Sequence, residues 1–87
     1  MPGEPELAYE LLSHAHGYGF ATEAAQAVVT WAADAGFERL WAGVRSWNVA
    51  SRNVLHKLGF VETGRVIPDA DFGDSLITTK ALVPTGR

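Results

Sequence analysis

Apolar residues recur at helical spacing in the first half of the chain. Between residues 20 and 35 they keep the i, i+3, i+4, i+7, i+11 spacing of one helix face, at Ala21, Ala24, Ala25, Val28 and Ala32. Gly36 follows directly, and we expect it to end the helix as the residue after the C-cap. The small alanines would let this helix lie close to a sheet.

Strand patterns flank this helix on both sides. Residues 6–12 are predicted to form a strand that ends in the polar turn Ser13-His14. Residues 38–45 are predicted to form a second strand, with one face made by Leu40, Ala42 and Val44. A strand, helix, strand run predicts a parallel pair joined by a right-handed crossover.

The last third of the chain predicts a short helix and a hairpin. Asn48 is a good N-cap for a helix that runs through Leu58 and stops at Gly59. Residues 60–67 and 74–83 are expected to pair as strands. The predicted order is β-α-β-α-β-β, an α/β fold with a mixed sheet in a single domain over residues 1–87.

Composition limits what this domain can bind. The 87 residues are 47% hydrophobic and 20% charged, which is typical of one globular domain that is marginally stable without a partner. A formal net charge of -3 gives no general attraction for nucleic acid. No apolar run is long enough to span a bilayer, and no signal peptide is apparent. We therefore expect a cytoplasmic protein without nucleic-acid or membrane partners.

A glycine-rich run before the first helix carries the most informative chemistry. Gly17 and Gly19 permit a tight turn and let a ligand approach the backbone closely. The first-turn N–H groups of the following helix lack internal partners and carry the positive end of the helix dipole. Together these features predict a phosphate cradle. An ordinary turn entering a helix is the alternative, and spacing alone does not decide between them.

The element order and two separate motifs resemble the C-terminal half of the GNAT acetyltransferases, especially those that act on the N-termini of ribosomal proteins. The family's Q/R-x-x-G-x-G/A falls on residues 16–21, and its N-x-x-S-x-x-x-L-x-K-L-G-F falls on residues 48–60. The resemblance covers residues 6–82 and implies a partial GNAT fold. The family's N-terminal strands and helices, which build much of the acceptor pocket, would be absent from this truncated domain.

The resemblance implies acetyl-CoA as the cofactor. In such enzymes the pyrophosphate lies on the glycine turn, the pantetheine arm pairs like a strand with the strand before it, and the Asn motif lies beside that arm. Bulky side chains should do most harm at Gly19 and Ala21, while helix capping is the alternative role for Asn48 and Ser51. The implied cofactor-binding residues are Leu11, Ser13, His16, Gly17, Tyr18, Gly19, Phe20, Ala21, Thr22, Asn48 and Ser51.

Catalytic groups are harder to identify. Glu6 and Glu10 are the candidate bases, because alternation along the predicted strand places both on one face, although a solvated edge is the alternative. Leu55 stands where many family members carry a tyrosine acid. The three histidines make a poor set of zinc ligands. His14 and His16 lie beside the glycine turn, and His56 occupies a position that varies in the family, so no metal is expected.

Two functions remain open from the sequence. The first is direct acetyl transfer to an amine whose identity the sequence does not reveal, by an enzyme that is complete only as an oligomer or as part of a longer chain. The second is a CoA-binding module or inactive remnant that has lost the acceptor half. The first predicted strand would have an unpaired edge, and such edges recruit partners. We therefore expect a homodimer that forms through residues 6–12 or through the C-terminal hairpin.

Overall fold

The computed structural model describes residues 3–83, which form a four-stranded mixed sheet with three helices. Strands lie in the order β1-β2-β4-β3, with β1 parallel to β2 and the other pairs antiparallel. The predicted α/β class with a mixed sheet is confirmed. The elements in chain order are β1 (Glu6–Leu7), α1 (Tyr9–His16), α2 (Tyr18–Asp34), β2 (Arg39–Arg45), α3 (Val49–Lys57), β3 (Val61–Ile67) and β4 (Ser75–Ala81).

The core lies between the helices and one face of the sheet. Leu40, Ala42 and Val44 are buried there, so the predicted inward face of β2 is confirmed. Small residues of α2 let the helix approach that face, as the sequence predicted. The rest of the core cluster comes from Leu7, Tyr9, Ala21, Ala25, Leu55 and Phe60.

The strand predicted over residues 6–12 is wrong beyond Leu7, because the chain turns into helix α1 at Tyr9. An alternating strand would place Tyr9 and Leu11 on one face, yet Tyr9 is fully buried and Leu11 is 69% exposed. Leu12, three residues after Tyr9, packs against the core instead. Helical spacing therefore decides the local structure, and the predicted Ser13-His14 turn is also helical.

Both predicted glycine stops are confirmed, and the two helices end in the same way. At the end of α2, Gly36 has φ 87° and donates to the Ala33 carbonyl, while Phe37 donates to the Ala32 carbonyl. Gly59 and the residue after it repeat this pattern at the end of α3. These Schellman motifs satisfy carbonyls that the helix ends would otherwise leave without partners.

The C-terminal half follows its predicted order. The Asn48 side chain caps α3 by accepting from the Ser51 N–H at 3.2 Å, and β3 pairs with β4 as a hairpin. Arg52 of α3 forms two hydrogen bonds with Glu62 of β3, at 2.8 and 2.9 Å. These bonds hold the pKa of the Glu62 carboxyl below its ordinary value and fix α3 to the hairpin.

The edges bear on the expected homodimer. Strand β1 contains only two residues, whereas the opposite edge strand β3 contains seven. The edge at β1 is therefore shorter than the sequence suggested, and the homodimer stays a prediction. Within residues 3–83, no helix combines the length and apolar character needed to cross a bilayer.

Candidate functional site

An open groove of about 820 Å³ lies between α1, the end of β2, the start of α3 and the loop that joins β3 to β4. Its volume falls within the roughly 300–1,000 Å³ of typical small-molecule sites. The side chains that line it are Glu10, Leu11, Ser13, His14, Tyr18, Arg45, Trp47, Asn48 and Phe72.

Gly17 forms the junction between α1 and α2 beside this groove. It has φ 87° and ψ 165°, its N–H donates to the Ser13 carbonyl at 2.8 Å, and its carbonyl accepts from the Ala21 N–H at 3.1 Å. No side chain among the described residues caps the start of α2. The first-turn N–H groups of α2 therefore keep their capacity to bind an anion.

The segment predicted to bind phosphate, residues 17–22, contains an exposed part and a buried part. Tyr18, Gly19 and Phe20 are exposed in the first turn of α2, and a Cβ at Gly19 would meet nothing within 4 Å. Ala21 is fully buried in the core, and the Thr22 hydroxyl lies 3.1 Å from the hydroxyl of Tyr9. A bulky residue at position 21 would therefore disturb packing before it disturbed a bound phosphate.

His16 lies at the exposed end of α1, next to the junction. Its ring centroid is 4.6 Å from that of Phe20, with the rings tilted by 44°. Neither ring lines the groove. The pair instead flanks the start of α2, where the expected anion would bind.

Asn48 connects three parts of the groove wall. Its amide nitrogen donates to Glu10 Oε2 at 2.6 Å, and its oxygen accepts from the Ser51 N–H and, at 3.4 Å, from the Tyr18 hydroxyl. The other Glu10 oxygen, Oε1, accepts from the Arg45 backbone N–H at 3.0 Å. The groove therefore contains one carboxylate held in place by two neutral donors.

The prediction that Glu6 and Glu10 share one face is wrong. Glu6 lies on β1 opposite Trp41, next to a small hollow that Gly43 and Ile77 also line. Glu10 lies on α1, because the predicted strand becomes a helix before it reaches that residue. Of the two candidate bases, the groove contains Glu10 alone.

Leu11 and Ser13 line the groove, but not as strand residues. Both lie in α1, where the Leu12 N–H donates to the Ala8 carbonyl at 3.1 Å. Because the helix uses these backbone groups internally, the expected strand-like pairing of this segment with a pantetheine arm cannot form. Ser51 is fully buried, and its hydroxyl lacks a partner in the described part of the chain. Leu55, at the position of the family's acid, lies in the core.

Four residues of the groove are not among the site residues predicted from the sequence: His14, Arg45, Trp47 and Phe72. The Trp47 indole N–H donates to the Phe72 carbonyl at 2.8 Å, and both side chains are 66% exposed. Arg45 donates to the Gly73 carbonyl at 2.9 Å. Two sequence signals could have indicated aromatic groove residues: Trp47 directly precedes the Asn motif, and Phe72 is the one aromatic residue of a polar loop.

The loop between β3 and β4 is ordered by Asp69. This carboxylate accepts from the N–H groups of Asp71 and Phe72 at 2.9 and 3.1 Å, and it lies 3.6 Å from the Arg45 guanidinium. These backbone donors, followed by the Arg45 charge, hold the pKa of Asp69 below its ordinary value. Over residues 3–83, no three acidic or histidine side chains gather as a metal site.

Comparison with known proteins identifies a family and two similar structures. A family profile described as an acetyltransferase (GNAT) domain matches residues 1–61. The chain is similar to Mycobacterium smegmatis RimJ in complex with CoA-disulfide, with 27% identity and a TM-score of 0.65 over 86% of this chain and 38% of that chain.

A second solved structure, an acetyltransferase (GNAT family) from Bacillus anthracis, gives 25% identity and a TM-score of 0.60 over 76% of this chain and 43% of that one. The chain thus spans less than half the length of either structural relative. Comparison with curated protein sequences gives no match.

Proposed function

The chain belongs to the GNAT acetyltransferase family, and from this premise we propose that it binds acetyl-CoA and transfers the acetyl group to an amine. The observation that carries the proposal is the junction at Gly17, where α2 begins without a side-chain cap next to a groove. A helix start of this kind binds phosphate through backbone N–H groups and the helix dipole.

The residues present fit a pyrophosphate. Tyr18, Gly19 and Phe20 would donate their N–H groups, and the open space beside Gly19 leaves room for the anion. His16 would add a positive charge when its imidazole is protonated. Bound acetyl-CoA would supply the acetyl group as a reactive thioester.

The groove fits the rest of the cofactor. The side chains of Leu11 and Ser13 would lie along the pantetheine arm, and Asn48 would offer its amide to that arm's polar groups. Ser51 would contribute through its backbone N–H, which holds the Asn48 side chain in place. On this proposal the Asn motif both caps α3 and binds the cofactor.

Proton transfer would fall to two groove residues. Glu10 uses two of the roughly four acceptor positions of its carboxylate on Asn48 and Arg45, so acceptor capacity remains for an amine proton. The Tyr18 hydroxyl donates its one proton to Asn48 Oδ1 at 3.4 Å, so it would have to turn from Asn48 to the leaving thiolate to act as the acid. Glu10 is therefore our candidate base, and Tyr18 replaces the missing acid at Leu55.

A CoA-binding module without transfer is the second candidate. It is favoured by the two hydrogen bonds of Glu10, which join α1 to the start of α3 and give this carboxylate a structural task. On this alternative the groove would hold CoA, but Glu10 would not accept a proton from an amine. The two candidates differ in turnover and not in cofactor binding.

Calorimetric titration of the full chain with CoA and acetyl-CoA tests the proposal. Gly19→Leu fills the open space at the start of α2, whereas Ala27→Leu adds the same side chain at an exposed position within α2. We expect binding to be lost in the first variant alone, and equal binding by both would refute the pyrophosphate site. Mass spectrometry of an amine panel incubated with acetyl-CoA then separates transfer from binding without transfer.

A further inference from the structure

We propose that Trp47 and Phe72 form an acceptor wall that selects amines carrying an aromatic or large aliphatic substituent. The inference rests on the proposed function, since it assigns a substrate class to the same groove. It differs from that proposal because neither residue belongs to the motifs that identify the family. Its basis is the exposure, the fixed position and the charge of the side chains around this groove.

Large apolar side chains are exposed around the groove. Leu11 is 69% exposed, Trp47 and Phe72 are each 66% exposed, and Tyr18 is 44% exposed. All four line the same concave surface. Concave surfaces with apolar walls and a few polar groups are typical of small-molecule sites, and covering these walls would be favourable.

The acceptor wall is held in position by several contacts. Trp47 donates to the Phe72 carbonyl at 2.8 Å, and Arg45 donates to the Gly73 carbonyl at 2.9 Å. Gly73 has φ 86°, and a Cβ there would lie 2.7 Å from Trp47 Cδ1, so the indole packs directly on its backbone. An aromatic wall that is already ordered loses little conformational freedom when a ligand binds.

Charge favours a cationic partner. The positive charge of Arg45 is offset by Asp69 at 3.6 Å, whereas the partners of Glu10 are the neutral Asn48 amide and the Arg45 backbone N–H. Glu10 therefore offers its negative charge to an ammonium group, which aromatic faces also attract. His14 is the remaining titratable side chain of the lining besides Tyr18.

Arg45 links the two ends of this arrangement. Its backbone N–H contacts Glu10, while its guanidinium lies 5.9 Å from the centroid of the Phe72 ring. A ligand that spans Arg45 would therefore meet a carboxylate at one end and an aromatic ring at the other. A primary amine with an apolar substituent has the matching order of groups.

NMR titration of the full chain tests this inference with phenethylamine, ethylamine and 3-phenylpropionate. The indole N–H signal of Trp47 serves as the reporter, assigned with Trp47→Phe, and the signal of Trp31 serves as the internal control because its side chain lies outside the groove. We expect phenethylamine to bind at least tenfold more tightly than ethylamine, since burying its ring contributes at least about 1.4 kcal/mol. The anionic analogue should not bind.

Phe72→Ala should remove the preference for phenethylamine, and the exposed position of Phe72 leaves the fold intact. Equal affinity for both amines in the wild type, no amine binding at all, or a preference that survives Phe72→Ala would overturn the inference. Titration of the same samples with CoA keeps the two proposals apart. If the wild-type chain does not bind CoA, the proposed function is refuted. If it binds CoA but does not discriminate between the two amines, the acceptor wall alone is refuted.

Discussion

The side-chain amide of Asn48 donates to the carboxylate of Glu10 at 2.6 Å across 38 positions of sequence. Through its oxygen, the same amide caps α3 at the Ser51 N–H. One side chain thus fixes α1 to the start of α3 and shapes the groove between them. The geometry requires a donor and an acceptor on separate atoms of this side chain, and the Asn48 amide supplies both.

Exchange of the polar groups between Asn48 and Glu10 tests this linkage. Asn48→Asp keeps a capping oxygen but places two carboxylates together, so we expect the free energy of unfolding at pH 7 to fall by about 1–3 kcal/mol. Adding Glu10→Gln restores a donor opposite the new carboxylate and should recover most of that loss. Urea denaturation of both single variants and the double variant measures the coupling, and additive effects would contradict the linkage.

The two glycines at the start of α2 should respond to alanine in opposite directions. Gly17 has φ 87°, so Gly17→Ala is expected to cost about 1–3 kcal/mol of stability through backbone strain. Gly19 is helical with open space around it, so Gly19→Ala should stabilise the protein by about 0.5–1 kcal/mol. Urea denaturation of both variants measures this contrast, and a shared sign would refute our account of the junction.

Local signals predicted much of this fold. The inward face of β2, the Asn48 cap and the stops at Gly36 and Gly59 each depend on residues within a few positions of one another. The glycine signals are strong because helix ends of this type require a positive φ, which glycine adopts without a steric penalty. The Asn motif and the glycine run also led to the correct family.

The remaining features depend on distant contacts. Residues 9–12 fit both an alternating and a helical pattern, and packing of Tyr9 in the core decides between them. The misassigned strand then misplaced Glu6 relative to Glu10. The Trp47–Phe72 hydrogen bond spans 25 positions, and no local pattern indicates that a polar loop would place its aromatic residue beside the Asn motif.

The Arg52–Glu62 pair should make stability depend on pH. Its hydrogen bonds lower the pKa of Glu62 in the folded state, so the contribution is complete above the ordinary glutamate pKa of about 4.3 and is lost as the pH falls through the lowered value. Glu62→Gln should therefore lower the thermal midpoint at pH 7, and this effect should shrink as the pH falls through the lowered pKa of Glu62. Glu23→Gln, at an exposed site on α2, is the control, and a pH-independent loss would contradict the pair's role.

Removal of the buried Ser51 hydroxyl should stabilise the protein. This hydroxyl is fully buried without a partner in the described residues, while the Ser51 N–H keeps its bond to Asn48 in an alanine variant. Ser51→Ala should raise the free energy of unfolding by up to about 1 kcal/mol, because an unsatisfied buried group is costly and alanine favours helix. Ser13→Ala, which removes a hydroxyl bonded to the Glu10 carbonyl at 3.0 Å, should not stabilise. CoA titration completes the test, since weaker binding by Ser51→Ala would place that hydroxyl against the cofactor instead.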